Sequence, residues 1–191
     1  MKSVRRKRHP TIGCCGIDCG LCPRFYTIGI SKCPGCFGED FENLHPSCAI
    51  ANCCFKTKAL ETCADCGDFP CNKMKGWDAA DSFVTHSASL QNLHNIRRSG
   101  IESFLKQQGQ RMELLRDLLE KYDDGRSKSF FCLSAALLPT DLMGEAIAKA
   151  NRPKTGIADK KERAKFLRNA FLEIASTKGV DLRYRKNRSG T

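Results

Sequence analysis

Ten cysteines stand at spacings that deliver sulfur to a metal. They are Cys15, Cys19 and Cys22 (C-x3-C-x2-C), Cys33 and Cys36 (C-x2-C), Cys48 and Cys53 (C-x4-C), and Cys63, Cys66 and Cys71 (C-x2-C-x4-C). A two-residue gap is the usual knuckle of a tetrahedral zinc site, because one tight turn carries both thiolates to the same ion. Such a turn favours Gly or Pro inside or just after it, and Cys33-Pro-Gly-Cys36 and Cys63-Ala-Asp-Cys66-Gly67 meet that demand. Ten thiols do not divide by four. Two four-cysteine sites leave two over, whereas one four-ligand and two three-ligand sites use all ten and leave open coordination positions, where metal chemistry takes place. His45, three residues before Cys48, is a candidate for completing a Cys₃His site, set against the ordinary reading of a solvated loop histidine before proline. Cys14 and Cys54 adjoin better-placed cysteines and fall outside the pattern, and Cys132, inside an apolar run, reads as a small core residue.

Twelve of the thirteen cysteines lie within the 58 residues from Cys14 to Cys71. The basic opening Lys2, Arg5, Arg6, Lys7, Arg8 is followed by His9-Pro10-Thr11 and not by the apolar stretch of a signal peptide. The longest apolar run, Phe130 to Leu138, is about half of the ~20 residues a membrane span needs. A reducing, cytoplasmic location is therefore expected, with no membrane partner, and there dense cysteines bind metal more readily than they pair. An odd cysteine total agrees with that. Zinc is the expected metal. The alternative is a [4Fe-4S] cluster, because Cys15, Cys19 and Cys22 match the triad by which radical S-adenosylmethionine enzymes hold one. Those enzymes alternate strands and helices and this chain does not, so the triad speaks for a cluster and not for that chemistry. Spacing alone does not separate zinc from iron–sulfur.

The elements expected around these thiols divide the chain at residues 13 and 80. Residues 1–13 read as a basic, poorly ordered arm. Residues 14–80 read as an irregular, metal-stapled module, since Gly and Pro punctuate it repeatedly and metal binding must offset its conformational entropy. One short helix is expected there, over Ala49 to Leu60. Residues 81–191 read as a mainly α unit of about five helices with a basic tail. Leu90, Leu93 and Ile96 mark a first helix, with Ser87 and Ser89 as caps and Gly100 as its end. Ile101, Phe104 and Leu105 mark a second, breaking at Gly109, and Met112, Leu115, Leu118, Leu119 and Tyr122 a stripe that closes at Gly125. Phe130 to Leu138 is apolar all round and stopped by Pro139. Thr140 or Asp141 caps a helix through Met143 and Ile147, and a loop with Pro153 and Gly156 follows. Asp159 and Glu162 open a last helix with Ala164, Leu167, Phe171 and Ile174 inside, ended by Gly179; Val180 to Tyr184 alternates like a short edge strand.

The motifs Cys15-Gly-Ile-Asp-Cys19-Gly-Leu-Cys22-Pro, Cys33-Pro-Gly-Cys36 and Glu61-Thr-Cys63-Ala-Asp-Cys66-Gly-Asp-Phe-Pro-Cys71 resemble the cysteine-rich proteins of the domain of unknown function 3795 family, found in bacteria and archaea. The resemblance covers roughly residues 15 to 80. Leu93-His-Asn-Ile96-Arg-Arg-Ser-Gly100 and Lys128-Ser-Phe130 look similar to longer members. It implies a metal-binding module and no particular activity. Three functions are weighed: a zinc-stabilised binding or adaptor module with a protein partner, an iron–sulfur redox or sulfur-handling protein, and a nucleic-acid-binding protein. The first is preferred, because no acid/base or phosphate-binding set accompanies the knuckles; Asp18, Asp65 and Asp68 read as turn-forming or supporting acids. An enzyme is thus not indicated. The third would use the arm, the face of Lys160, Lys161, Lys165 and Arg168, and the tail Arg183, Arg185, Lys186 and Arg188. The formal charge is +11, with 11 basic and 8 acidic residues before residue 81 and 21 against 13 after it. Two zinc-thiolate sites would take the first part to about −1, so basic surface belongs to the tip and the second half.

Overall fold

In the computed structural model, described for residues 5–151 and 159–186, helices supply the regular structure. Among the described residues there are seven α-helices and no strand, and the only strand-like pairing is an isolated bridge between Ile12 and Asp18. The α-helices are α1 (Phe41–Leu44), α2 (Ala49–Ala51), α3 (Ser89–Ser99), α4 (Ile101–Tyr122), α5 (Lys128–Leu137), α6 (Thr140–Ala150) and α7 (Lys160–Thr177). The mainly α class and the approximate number of helices after residue 80 are those expected. Lys2, Pro153, Gly156 and Arg188, each part of an expectation above, lie outside the described residues.

Contacts group the chain into two units, one holding the residues up to Gln108 together with those from Tyr184, the other Gly109–Arg183. The division falls well after residue 80 because α3 and the first turns of α4 pack into the cysteine segment. Leu93 and Ile96 are buried beside Ile12, Phe37, Phe55 and Phe69, and Leu90, Ile101, Phe104 and Leu105 pack against the same core. This segment therefore has an apolar core of its own. Phe55 packs tilted against Phe37 with ring centres 4.5 Å apart, and Phe41 packs on the same ring at 4.8 Å. The turn-rich sequence hid this core because its apolar residues sit at neither helical nor strand period.

Residues 5–13 correct the expectation of a loose arm. Ile12 is fully buried and Lys7 is 5% exposed. Lys7 N–H donates to Phe37 O, the Arg8 and His9 amides donate to the Glu61 carboxylate, and the Cys36 amide donates to Pro10 O at 2.8 Å. Once these bonds form, the segment is part of the fold.

In the other unit α5, α6 and α7 surround Phe131, Met143, Leu167 and Phe171, all fully buried. α5 is apolar all round, as expected, and Cys132 is buried within it. The Asp159 carboxylate caps α7 at the Lys161 amide, and Gly179, at φ +67°, follows its end. Three local expectations are corrected. α4 runs unbroken through Gly109, because the helix-forming residues on both sides outweigh one glycine. The helix from Ser89 has Ala88 at its N-cap and no side-chain cap; likewise Pro139, not Thr140 or Asp141, precedes α6. Val180 to Tyr184 forms no strand, since no partner strand exists among the described residues.

Candidate metal centre

Each knuckle is built from a short-range turn. Cys19–Leu21 and Cys63–Asp65 are single 3₁₀ turns, closed by Cys22 N–H to Cys19 O at 3.2 Å and Cys66 N–H to Cys63 O at 3.1 Å. Cys33-Pro-Gly-Cys36 turns at Gly35, whose φ is +86° and whose added Cβ would stand 2.3 Å from Pro10 O. Only glycine satisfies both demands. The expected helix from Ala49 is a short α turn, α2, that widens into a π turn over Asn52–Thr57. That helix separates Cys48 at its start from Cys53 within it.

The ten patterned thiols line two cavities. Cys15, Cys19, Cys22, Cys33, Cys36 and Cys48 lie on the wall of one, about 440 Å³ in volume, together with His45, Trp77, Phe83 and His86. Cys53, Cys63, Cys66 and Cys71 lie on the wall of the other, about 390 Å³, with Lys58, Asp68 and Phe69. The C-x4-C pair is therefore split, which spacing concealed. Neither wall closes on a point: among the described residues no three His, Cys, Asp or Glu side chains converge to hold a single ion. His45 faces the larger cavity's wall, where its ring stacks on Phe41 and its Nδ1 lies 2.8 Å from Pro46 O.

α3 and α4 hold these loops from behind. Arg97 of α3 donates from Nη1 to Phe69 O at 2.9 Å and from Nη2 to Cys66 O at 2.8 Å, which fixes the second knuckle by its backbone. Asn92 donates to Gly16 O at 2.9 Å, and Gly16 comes so close to α3 that an added Cβ would stand 2.1 Å from Ser89 O. Gln108 of α4 donates to Thr11 O and to the buried Asp18 carboxylate. Asp65 accepts from Thr62 Oγ1, while Asp68 binds the Lys58 ammonium, whose Nζ also donates to Cys66 Sγ at 3.2 Å. Asp18, Asp65 and Asp68 thus serve turns and supporting contacts.

Cys14 and Cys54, outside the sequence pattern, also line the cavities, Cys14 the larger and Cys54 the smaller. Cys36 Sγ donates to Cys14 Sγ at 3.8 Å, and hydrogen bonds from Cys36 and then Cys54 hold the Cys14 thiol far below its usual range. Cys63 is lowered by the hydrogen bond from Cys54, which is itself raised by its bonds to Cys14 and Cys63. The chain of sulfurs runs Cys36, Cys14, Cys54, Cys63, joining residues of both walls. Burial raises Cys15 to about 12 and Cys22 to about 11, and drives Cys19 well up, with the sulfurs of Cys15, Cys22 and Cys33 adding to it. Such thiols stay protonated until a metal cation displaces the proton.

The basic residues weighed for nucleic acid are partly engaged elsewhere. Arg183 pairs with Asp181 and Arg185 with Asp81, and the Arg168 guanidinium lies 4.0 Å from the Phe130 ring centre. Lys160, Lys161, Lys165 and Lys186 are exposed. No helix among the described residues is long and apolar enough to cross a membrane. No family model matches the chain, and no curated protein and no solved structure matches it either.

Proposed function

We propose that the chain is an iron–sulfur redox protein in which each cysteine-lined cavity holds a [4Fe-4S] cluster. Cys53, Cys63, Cys66 and Cys71 would ligate one, and Cys15, Cys19, Cys22 and Cys33 the other, with Cys36 and Cys48 on the same wall. The observation that carries this reading is the partition of the patterned thiols around two cavities of several hundred Å³. A cubane is ligated by thiolates on different irons, so its ligands surround a volume. A single zinc at ~2.3 Å from each sulfur draws its ligands to within about 3.8 Å of one another. Cys14 and Cys36, at 3.8 Å, have that separation, but no third ligand joins them among the described residues. The geometry therefore favours the cluster over the zinc-stabilised adaptor module that the knuckles suggest.

A bound cluster would supply one-electron transfer. The chain's own residues would hold and insulate it. Arg97 and the 3₁₀ turns set the direction of the Cys63 and Cys66 thiolates, Lys58 donates a hydrogen bond to Cys66 Sγ, and the burial of Cys63, Cys66 and Phe69 keeps water away. Anaerobic purification followed by iron, sulfide and zinc analysis and an optical spectrum tests the reading. The expected result is brown protein with equal iron and acid-labile sulfide, two clusters per chain, bleaching on reduction with dithionite. Folded, colourless protein loaded with zinc alone overturns it.

A further inference from the structure

The larger cavity carries more sulfur than one cluster uses. Seven thiols line it, and a cubane takes four. With Cys15, Cys19, Cys22 and Cys33 as ligands, Cys14, Cys36 and Cys48 are to spare, and two of these are already in contact: Cys36 Sγ lies 3.8 Å from Cys14 Sγ. Both are free thiols and both are buried, Cys14 fully and Cys36 to 6% exposed. Their backbones are pinned. The Cys36 amide donates to Pro10 O at 2.8 Å, Gly35 before it packs on the same carbonyl, and Cys14 O accepts from the Cys63 amide at 2.9 Å. Bonded sulfurs stand at about 2.05 Å, so closing this pair into a disulfide asks for ~1.8 Å of approach by two side chains whose main chains are already held.

The pair is also joined to ligands of both cavities. Cys14 adjoins Cys15 in the chain, and Cys36 follows Cys33 across the Pro34-Gly35 turn. The hydrogen bond from the Cys63 amide to Cys14 O reaches a ligand of the smaller cavity. Burial closes a competing route: exchange with another protein's disulfide requires the partner sulfur to reach the attacked one, and neither Cys14 nor Cys36 offers that access.

We propose that Cys14 and Cys36 form a redox-active dithiol, a two-electron site that exchanges electrons with the one-electron groups of both cavities. This rests on the iron–sulfur reading above. In one direction a small two-electron thiol oxidant, a peroxide or a diazene, takes two electrons and two protons from the two thiols, and the S–S bond forms. In the other direction each cavity supplies one electron, the S–S bond breaks, and each sulfur takes a proton from solvent; a low-potential one-electron donor then restores the electrons. Two one-electron sites match one two-electron site, so the chain converts single electrons into pairs.

The test uses anaerobically purified, cluster-loaded protein treated with one equivalent of diamide, a small two-electron thiol oxidant. Free thiols are alkylated under denaturing conditions and linked peptides identified by fragmentation mass spectrometry, while a second portion is titrated with reduced methyl viologen. The expected result is coloured protein in which Cys14 is linked to Cys36 and which takes up two electrons per chain more than untreated protein, reopening the bond. Cys14→Ser and Cys36→Ser keep their colour and show no extra uptake. The linkage is read in the wild type, so the outcome does not depend on a variant folding. Coloured wild type without that linkage, or with Cys14 linked to Cys54 instead, overturns the inference and leaves the iron–sulfur reading intact. The linkage without extra uptake does the same, as does bleaching on oxidation or loss of a cluster from either folded serine variant, which makes the pair a ligand. Colourless wild type holding zinc alone overturns the iron–sulfur reading and this inference with it.

Discussion

Gly35 and Gly16 are the residues on which the loops turn, and each is fixed twice over. Both have a positive φ, and an added Cβ would run into backbone oxygen, Pro10 O at Gly35 and Ser89 O at Gly16. Gly35→Ala and Gly16→Ala are each expected to destabilise the first unit by ~3 kcal/mol or more, since the left-handed conformation and the clash add; thermal unfolding of the loaded protein measures it. Gln108 makes a gentler case. Gln108→Ala leaves Thr11 O and the buried Asp18 carboxylate without this donor, at a cost of about 1–3 kcal/mol. At this scale the tight turns from Cys19 to Cys22 and from Cys63 to Cys66 were legible, because a two-residue spacing is a property of adjacent residues, whereas the spacing of Cys48 and Cys53 concealed their separation. The burial of Lys7 was not legible: in the run Arg5-Arg6-Lys7-Arg8 every residue carries the same kind of charge, and only the hydrogen bonds of Lys7 to Ile12 O and Phe37 O single one out. Cys14 and Cys54 escaped for a similar reason, being adjacent in sequence to cysteines that fit the pattern.

At the scale of elements, periodicity identified α3, α6 and α7 and the stripes that face their cores, since a helix reports its buried face every three or four residues. It failed where a fold is made of turns. The loop over residues 81–86 and the tail are joined through Asp81, whose side chain is 1% exposed. Burial alone would raise its pKa, but hydrogen bonds from Arg185 and from the His86 amide, with the Arg185 charge, override burial and hold it at about 2. A depressed carboxylate contributes stability above its unfolded value, near 4, and loses it as pH falls toward 2. This tail contact is therefore expected at neutral pH and lost between about pH 4 and 2, with roughly 2 kcal/mol at stake. The Arg185 amide, 2.7 Å from Oδ2, should titrate in that window by nuclear magnetic resonance, and Asp81→Asn should abolish the transition. Gly109 offers the opposite sign. It sits inside α4 with nothing within 4 Å of an added Cβ, so Gly109→Ala is expected to raise stability by about 0.5–1 kcal/mol in thermal unfolding.

For the whole molecule, the two cavities make loading separable. Replacing Cys63 and Cys66 with serine is expected to halve the bound metal while leaving the larger cavity filled, and replacing Cys19 and Cys22 to do the converse; metal analysis of the folded variants decides. Loss of all metal in either variant would mean that the sulfurs of Cys14 and Cys54, one on each wall, make one site of them. The mainly α class was legible from the helical spacing of apolar residues. The core shared with α3 was not, because contacts such as Asn92 to Gly16 and Gln108 to Thr11 span 76 and 97 residues, and no local pattern announces them.

Those long spans bear on synthesis. The chain emerges from its N-terminus, so Thr11 and every patterned cysteine appear well before Arg97 and Gln108, the residues that anchor their backbone. During that interval the thiols have no rear support, and the segment around Thr11 is fastened long after it is made. A stalled chain ending before α3 should therefore expose all of its cysteines to an alkylating reagent, while one extended through α4 should protect them.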